Sequence, residues 1–170
     1  MKFFTRDLYQ WLQDSQPEFE ASENLTAREA EAAWEEACVA SGQMAAREAW
    51  DDACIASCAH FDSIKSLLNE DAKVLAHTTF HDGRVKQVDY DGQTLQIAID
   101  TRHAVSELIG DVTLTFHEVV SISGLSELQN ADWYYEEIDT HAKAAFEYRV
   151  LFHKGEFSVA ASRVEIRHIP

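Results

Sequence analysis

The chain has little of what breaks, staples or anchors a fold. Two prolines and six glycines in 170 residues exclude the Pro- and Gly-rich composition of extended disorder. Three cysteines, few and odd in number, argue against a disulfide framework and for a reducing compartment. No apolar run reaches membrane-spanning length. The start MKFFTRDLYQWLQ meets Arg6 and Asp7 too early to build the apolar stretch of a signal peptide, so the expected location is the cytoplasm. Positive charge is scarce as well: 14 Lys and Arg stand against 30 Asp and Glu, a net charge of −16. Such a surface repels phosphate backbones and anionic lipid, which removes nucleic acid and membranes as expected partners and leaves a basic protein or a cation. No P-loop, dinucleotide-type glycine pattern or G-x-S-x-G nucleophile elbow occurs.

What the chain does have is a tandem repeat. The segment AAWEEACVAS ending at Ser41 returns sixteen residues later as EAWDDACIAS ending at Ser57. Trp34 maps to Trp50, Cys38 to Cys54, and the acidic pair Glu35-Glu36 to Asp51-Asp52. On one continuous helix, sixteen positions turn a side chain by roughly 160° beyond whole turns, so the two Trp/Cys stripes would face opposite ways. The favoured reading is a helical hairpin broken at Ser41-Gly42, because Gly tolerates the left-handed conformation of a helix end. Glycine inside a helix costs only about 1 kcal/mol, so a single rod stays as the alternative.

The hydrophobic period changes near residue 80. Before it the pattern is helical. Thr5 suits an N-cap for a short helix carrying Leu8, Trp11 and Leu12, and Thr26 and Glu29 have capping-box spacing ahead of a helix over 27–41. Helices over about 43–59 and 60–75 follow. After residue 80 the residues alternate. Arg84–Tyr90 and Thr94–Asp100 flank Asp91-Gly92, a type I′ hairpin signal. Strands are expected over 111–122, with a bulge near His117-Glu118 where Val119-Val120 break the phase, then over 133–140, 146–152 and 156–168. The stretch 101–110 carries no assignment. The fold class is α+β: N-terminal helices, including the duplicated hairpin, packed on a C-terminal antiparallel sheet of about six strands. The division falls between a helical region, 1–76, and a β domain, 77–170.

Three segments carry a resemblance: MKFFTRDLY at the start, HDGRV from His81 to Val85, and ADWYYEEIDTH from Ala131 to His141. In this order they resemble a bacterial family of unknown function. Its members open Met-Lys-Tyr-Phe-Thr, carry a His-Asp segment before the sheet, and have a Trp-x-Tyr-Glu-Glu-like strand near the C-terminus. The resemblance covers both ends and most of 78–168 but not the duplicated helices. It implies a helical start and a β-rich domain, and it implies no reaction. Small β-rich domains with a similar His-Asp start also resemble immunity proteins that neutralise bacterial toxins, an analogy of type only.

Several constellations suggest chemistry, and each has a plainer reading. His77 and His81 would share a face on a helix, but Thr78, Thr79 and Phe80 favour extended backbone, where the two lie about 13 Å apart, too far for one ion. Asp82 then closes a turn into the sheet with His81 hydrogen-bonded beside it. Alternation on a strand puts Trp133, Tyr135 and Glu137 on one face and Tyr134, Glu136 and Ile138 on the other. These suit core packing first and a partner surface second, and neighbouring carboxylates on a strand diverge too far for acid–base catalysis. Cys54 and Cys58 lack a second ligand pair, so they read as small apolar residues beside Trp50. No metal or cofactor is assigned.

The expected function is therefore a non-enzymatic acidic interaction module for a basic protein, with an immunity protein as one version. Its candidate contacts are Trp133, Tyr135, Glu136, Glu137, Glu35, Glu36, Asp51 and Asp52. The alternatives are a small metal-assisted hydrolase centred on His81 and Asp82, and a homodimer joined through the helical repeat.

Overall fold

The computed structural model describes residues 1–17 and 27–170. The expected Thr26–Glu29 capping box therefore lies outside the described residues. Helix α1 (Arg6–Asp14) starts where Thr5 Oγ1 accepts the Leu8 N–H at 3.3 Å, a cap that satisfies one of the helix's free N–H groups. Helix α2 (Ala27–Ala40) stops at Ser41-Gly42, and α3 (Gln43–Ile64) begins directly after it. Gly42 sits at φ 76°, which a β-carbon would strain. The single rod is thus excluded. Helix α3 runs past the expected end at 59 to Ile64, and a turn separates it from α4 (Glu70–Ala76). Asn69 makes that break. Its Oδ1 accepts the Ala72 N–H at 2.9 Å as the N-cap of α4, and its Nδ2 donates to Ser162 O at 2.8 Å.

Eight strands follow: β1 (Arg84–Tyr90), β2 (Leu95–Asp100), β3 (Asp111–His117), β4 (Ser121–Ser123), β5 (Trp133–His141), β6 (Ala144–Phe152), β7 (Gly155–Ala161) and β8 (Arg163–Ile169), with a short α5 (Leu125–Leu128) between β4 and β5. They form two four-stranded antiparallel sheets, ordered β1-β2-β3-β8 and β4-β7-β6-β5. The architecture is α+β as expected, but two expected strands each divide in two. The bulge anticipated near His117-Glu118 is a change of sheet: Glu118 turns to φ 53° and the chain passes from β3 to β4. The returning strand changes sheet at Ser162, whose N–H donates to His117 O at 3.2 Å. Strands that bend from one sheet into the other are a standard way to make the corner between two packed sheets.

The Asp91-Gly92 hairpin forms, though not through a type I′ turn. Gly92 has φ 98° while Asp91 does not enter the left-handed region. Instead Asp91 Oδ1 collects the N–H groups of Gln93 and Thr94 at 2.8 and 2.7 Å across a four-residue loop. These two hydrogen bonds hold the exposed Asp91 carboxyl below the usual carboxylate range. Segment 101–110 is a loop closed by buried Thr101, whose hydroxyl donates to Leu108 O and accepts the Gly110 N–H.

Alternating residues of both sheets meet in one core, with Leu95, Ile97, Ile99, Val112, Leu114 and Phe116 opposite Phe146, Tyr148, Val150, Phe157 and Val159. Ile64, Leu68, Ala72 and Leu75 close it from the helical side. Among the described residues no helix is long and apolar enough to cross a membrane. Replacing Asn69 by Ala should remove both the α4 cap and the tether to the sheet corner. A loss of about 1–2 kcal/mol in urea denaturation is expected.

Candidate functional site

β5 is the edge strand of its sheet, and most residues of interest gather along it. Its pairing with β6 shifts between Trp133 and Tyr135, so Tyr134 is an extra residue and the faces expected from simple alternation change. Trp133 stays on the core side, where its ring meets Phe80 at 5.7 Å and Tyr148 at 6.1 Å. Past the bulge it is Glu136 and Ile138 that share this side. Trp133 Nε1 donates to Glu136 Oε2 at 3.0 Å, and Ile138 is paired with Tyr148. Tyr135 and Glu137 turn to the helices.

On that helical side an aromatic cluster packs α1, α3 and β5 together. Trp50 lies 4.5 Å from Tyr135 and 5.2 Å from Phe4, and Tyr9 lies 4.8 Å from Tyr134. Burial, then the neighbouring Tyr134, pushes the Tyr9 phenol up to about 12. Beside the cluster, buried Glu137 grips the start of the chain. One carboxylate oxygen accepts the N–H groups of Phe3 and Phe4 at 2.6 and 2.7 Å, and the other accepts that of Lys2 at 2.7 Å. Three charge-assisted bonds to consecutive amides fix this segment against β5. Met1 extends the grip through its amino group, 2.5 Å from Glu156 Oε2.

The segment so held forms one wall of a cleft of about 430 Å³. Phe3, Phe61, Ile138 and Tyr148 supply its apolar lining, and Lys2, His60, Asp139 and Arg149 are among its polar groups. Lys2 Nζ donates to His60 Nδ1 at 3.4 Å, and His60 Nε2 stands 3.1 Å from Asp139 Oδ1. Burial acts to raise the Asp139 carboxyl, but the Thr140 N–H, His60 and Arg149 outweigh it and hold the group below its ordinary value. Glu136 goes the other way. It also lines the cleft, yet burial removes water from the carboxyl and pushes it up despite hydrogen bonds from Thr79, Trp133 and the Phe80 backbone.

The residues expected from sequence fall in three places. Trp133 and Glu137 are buried, and Tyr135 and Glu136 are partly so; this strand is covered within the chain. Glu35, Glu36, Asp51 and Asp52 are all exposed on α2 and α3. His81 and Asp82 occupy the entry to the sheet, with His81 Nδ1 hydrogen-bonded to Tyr134 O and Asp82 in a left-handed turn at φ 64°. His77 instead caps the C-terminus of α4. No group of three or more His, Cys, Asp or Glu able to hold a metal occurs among the described residues. Of the cysteines read as apolar packing, Cys38 is buried and Cys54 half-buried, but Cys58 is exposed at the cleft. Its helix turns that position away from Trp50. Sequence reasoning missed the site formed by His60, Asp139 and Tyr148, because His60 comes from a segment distant from the β5–β6 hairpin that carries the other two, and the three have no motif spacing.

A family model described as "Protein of unknown function (DUF4085)" matches residues 38–160, well over half of the chain. The matched span takes in α3 and leaves out α1, most of α2 and the opening MKFFTRDLY. Among curated proteins none matches.

Two outcomes are expected. Glu137→Ala strands three amide N–H groups, one of them in the buried Phe4, and should cost about 3 kcal/mol in equilibrium unfolding. For Glu136 the sign follows from its raised value. The folded state holds this proton more tightly than the unfolded chain, so its contribution is present below about pH 4.5 and declines as pH rises toward the folded value. Urea midpoints of Glu136→Gln should therefore fall less than those of the parent as pH rises above about 4.5.

Proposed function

The chain belongs to the DUF4085 family, and we propose that it acts without catalysis, as an acidic module that docks a basic protein through α2 and α3. The observation that carries this reading is where charge is left uncompensated. In the sheets, Asp100 and Asp111 pair with Lys86 and Arg102, Asp132 with Arg84, and Glu165 with Arg163. On the helices, Glu35, Glu36, Glu48, Asp51 and Asp52 are exposed and have no ion-pair partner among the described residues. Exposed Val39, Met44 and Ile55 lie among them, at 64%, 61% and 68% accessibility. Exposed apolar residues one helical turn from unpaired carboxylates suit a cationic, amphipathic partner, with charge setting encounter rate and apolar contact setting residence. The immunity-protein version is the case in which that partner is a basic toxin. A homodimer through the same helices would bring the acidic pairs of two copies together, which like-charge repulsion opposes.

The test uses a fluorescent amphipathic peptide built of Lys and Leu as probe. Its affinity should fall at least tenfold between about 50 and 300 mM salt. It should fall comparably at low salt when Glu35, Glu36, Asp51 and Asp52 are replaced by Gln or Asn, but not with Asp89→Asn plus Glu107→Gln. Equal loss in both variants would reduce the effect to net charge and remove the proposed surface.

A further inference from the structure

A second function is carried by different residues. We propose that the cleft along β5 binds a small, largely apolar molecule whose uncharged hydrogen-bonding head reaches the Tyr148 hydroxyl. At about 430 Å³ the cleft falls within the range of small-molecule sites, about 300–1,000 Å³. Phe3, Phe61 and Ile138 give it apolar walls.

The decisive feature is what remains unsatisfied there. Tyr148 is fully buried and lines the cleft, and its hydroxyl has no hydrogen-bond partner. His60 Nε2, on a residue that also lines the cleft, is by contrast engaged by Asp139 Oδ1 at 3.1 Å, so Tyr148 carries the group left without a partner. Buried polar atoms are almost always paired, and an orphan costs about 1–3 kcal/mol. Of the three buried side-chain atoms without a hydrogen-bond partner among the described residues, those of His60 and His117 each stand beside an acid, Asp139 and Glu165, and the Tyr148 hydroxyl alone has no such neighbour. The neighbouring acids are already engaged, Glu136 by Trp133 Nε1 and Glu137 by three amides. A ligand head is thus left the buried Tyr148 hydroxyl to bond.

The environment also selects the charge of that head. Burial pushes Glu136 up and Tyr148 well above the ordinary phenol value, so the inner end disfavours an ionised group. Alcohols, phenols and carboxamides fit at Tyr148, whereas a charged group brought there loses its hydration; the ammonium of Lys2 also lines the cleft, but on an exposed residue. A trapped water is the competing occupant of Tyr148, but the apolar walls give a water few of the two to four partners it needs.

Ligand-observed NMR on the full chain, with benzyl alcohol, phenol and benzamide set against toluene, benzoate and benzylamine, tests the inference. The three neutral polar probes should bind at least tenfold more tightly than the other three. Tyr148→Phe removes only the orphan hydroxyl; it should leave unfolding midpoints unchanged or raised while abolishing that preference. Ala76→Leu, which narrows the cleft, should weaken every probe. No binding by any probe to folded protein would overturn the proposal, as would an unchanged preference in Tyr148→Phe. Because none of these residues lies on the acidic helical surface, this result stands apart from the peptide test.

Discussion

The helical layer of this protein depends on one carboxylate. Glu137 is buried on an edge strand and bonds three successive amides of the first residues of the chain. An isolated buried carboxylate would be costly, and three aligned N–H donors supply what water would have given it. In return the carboxylate places Phe4 against Trp50 and Phe3 against His60, at 5.2 and 5.5 Å. Helix α1, the aromatic cluster and the wall of the cleft are all consequences of this arrangement.

The two copies of the repeat illustrate how little sequence identity fixes environment. Trp50 is buried between α1 and β5, while its counterpart Trp34 is 43% exposed. Cys38 is buried, whereas Cys54 is only partly so. One copy was fitted to the sheet and the other to its neighbouring helix, so the same Trp/Cys stripe serves two kinds of packing. Only the acidic pairs keep a common role, since both remain in solvent.

Much of the fold could be read from the side-chain rhythm. The change near Phe80, the alternation of Leu95, Ile97 and Ile99, and the break at Gly42 are local signals, and local signals survive folding. Two sheets in place of one were half-visible: Val119-Val120 break the phase, and so does the shift from Phe157, Val159 and Ala161 to Val164 and Ile166. A phase break alone does not say whether a strand bulges or leaves its sheet; that depends on what it pairs with. The bulge at Tyr134 had no such signal, and it exchanged the faces of Tyr135, Glu136 and Glu137. For the same reason the cleft was illegible. Asp139 and Tyr148 come together through the β5–β6 pairing, but His60 is far from both along the chain, and only the packing of α3 against β5 adds it.

The corner at Glu118 and Ser162 has a consequence for how the protein tolerates change. Because β3–β4 and β7–β8 are continuous ribbons threaded through both sheets, the alignment of one sheet is transmitted to the other. Deleting a single residue there would invert every inward and outward position of β4 relative to β3. The two halves are locked like gear teeth on one shaft, and variation in length can be absorbed only at the outer loops.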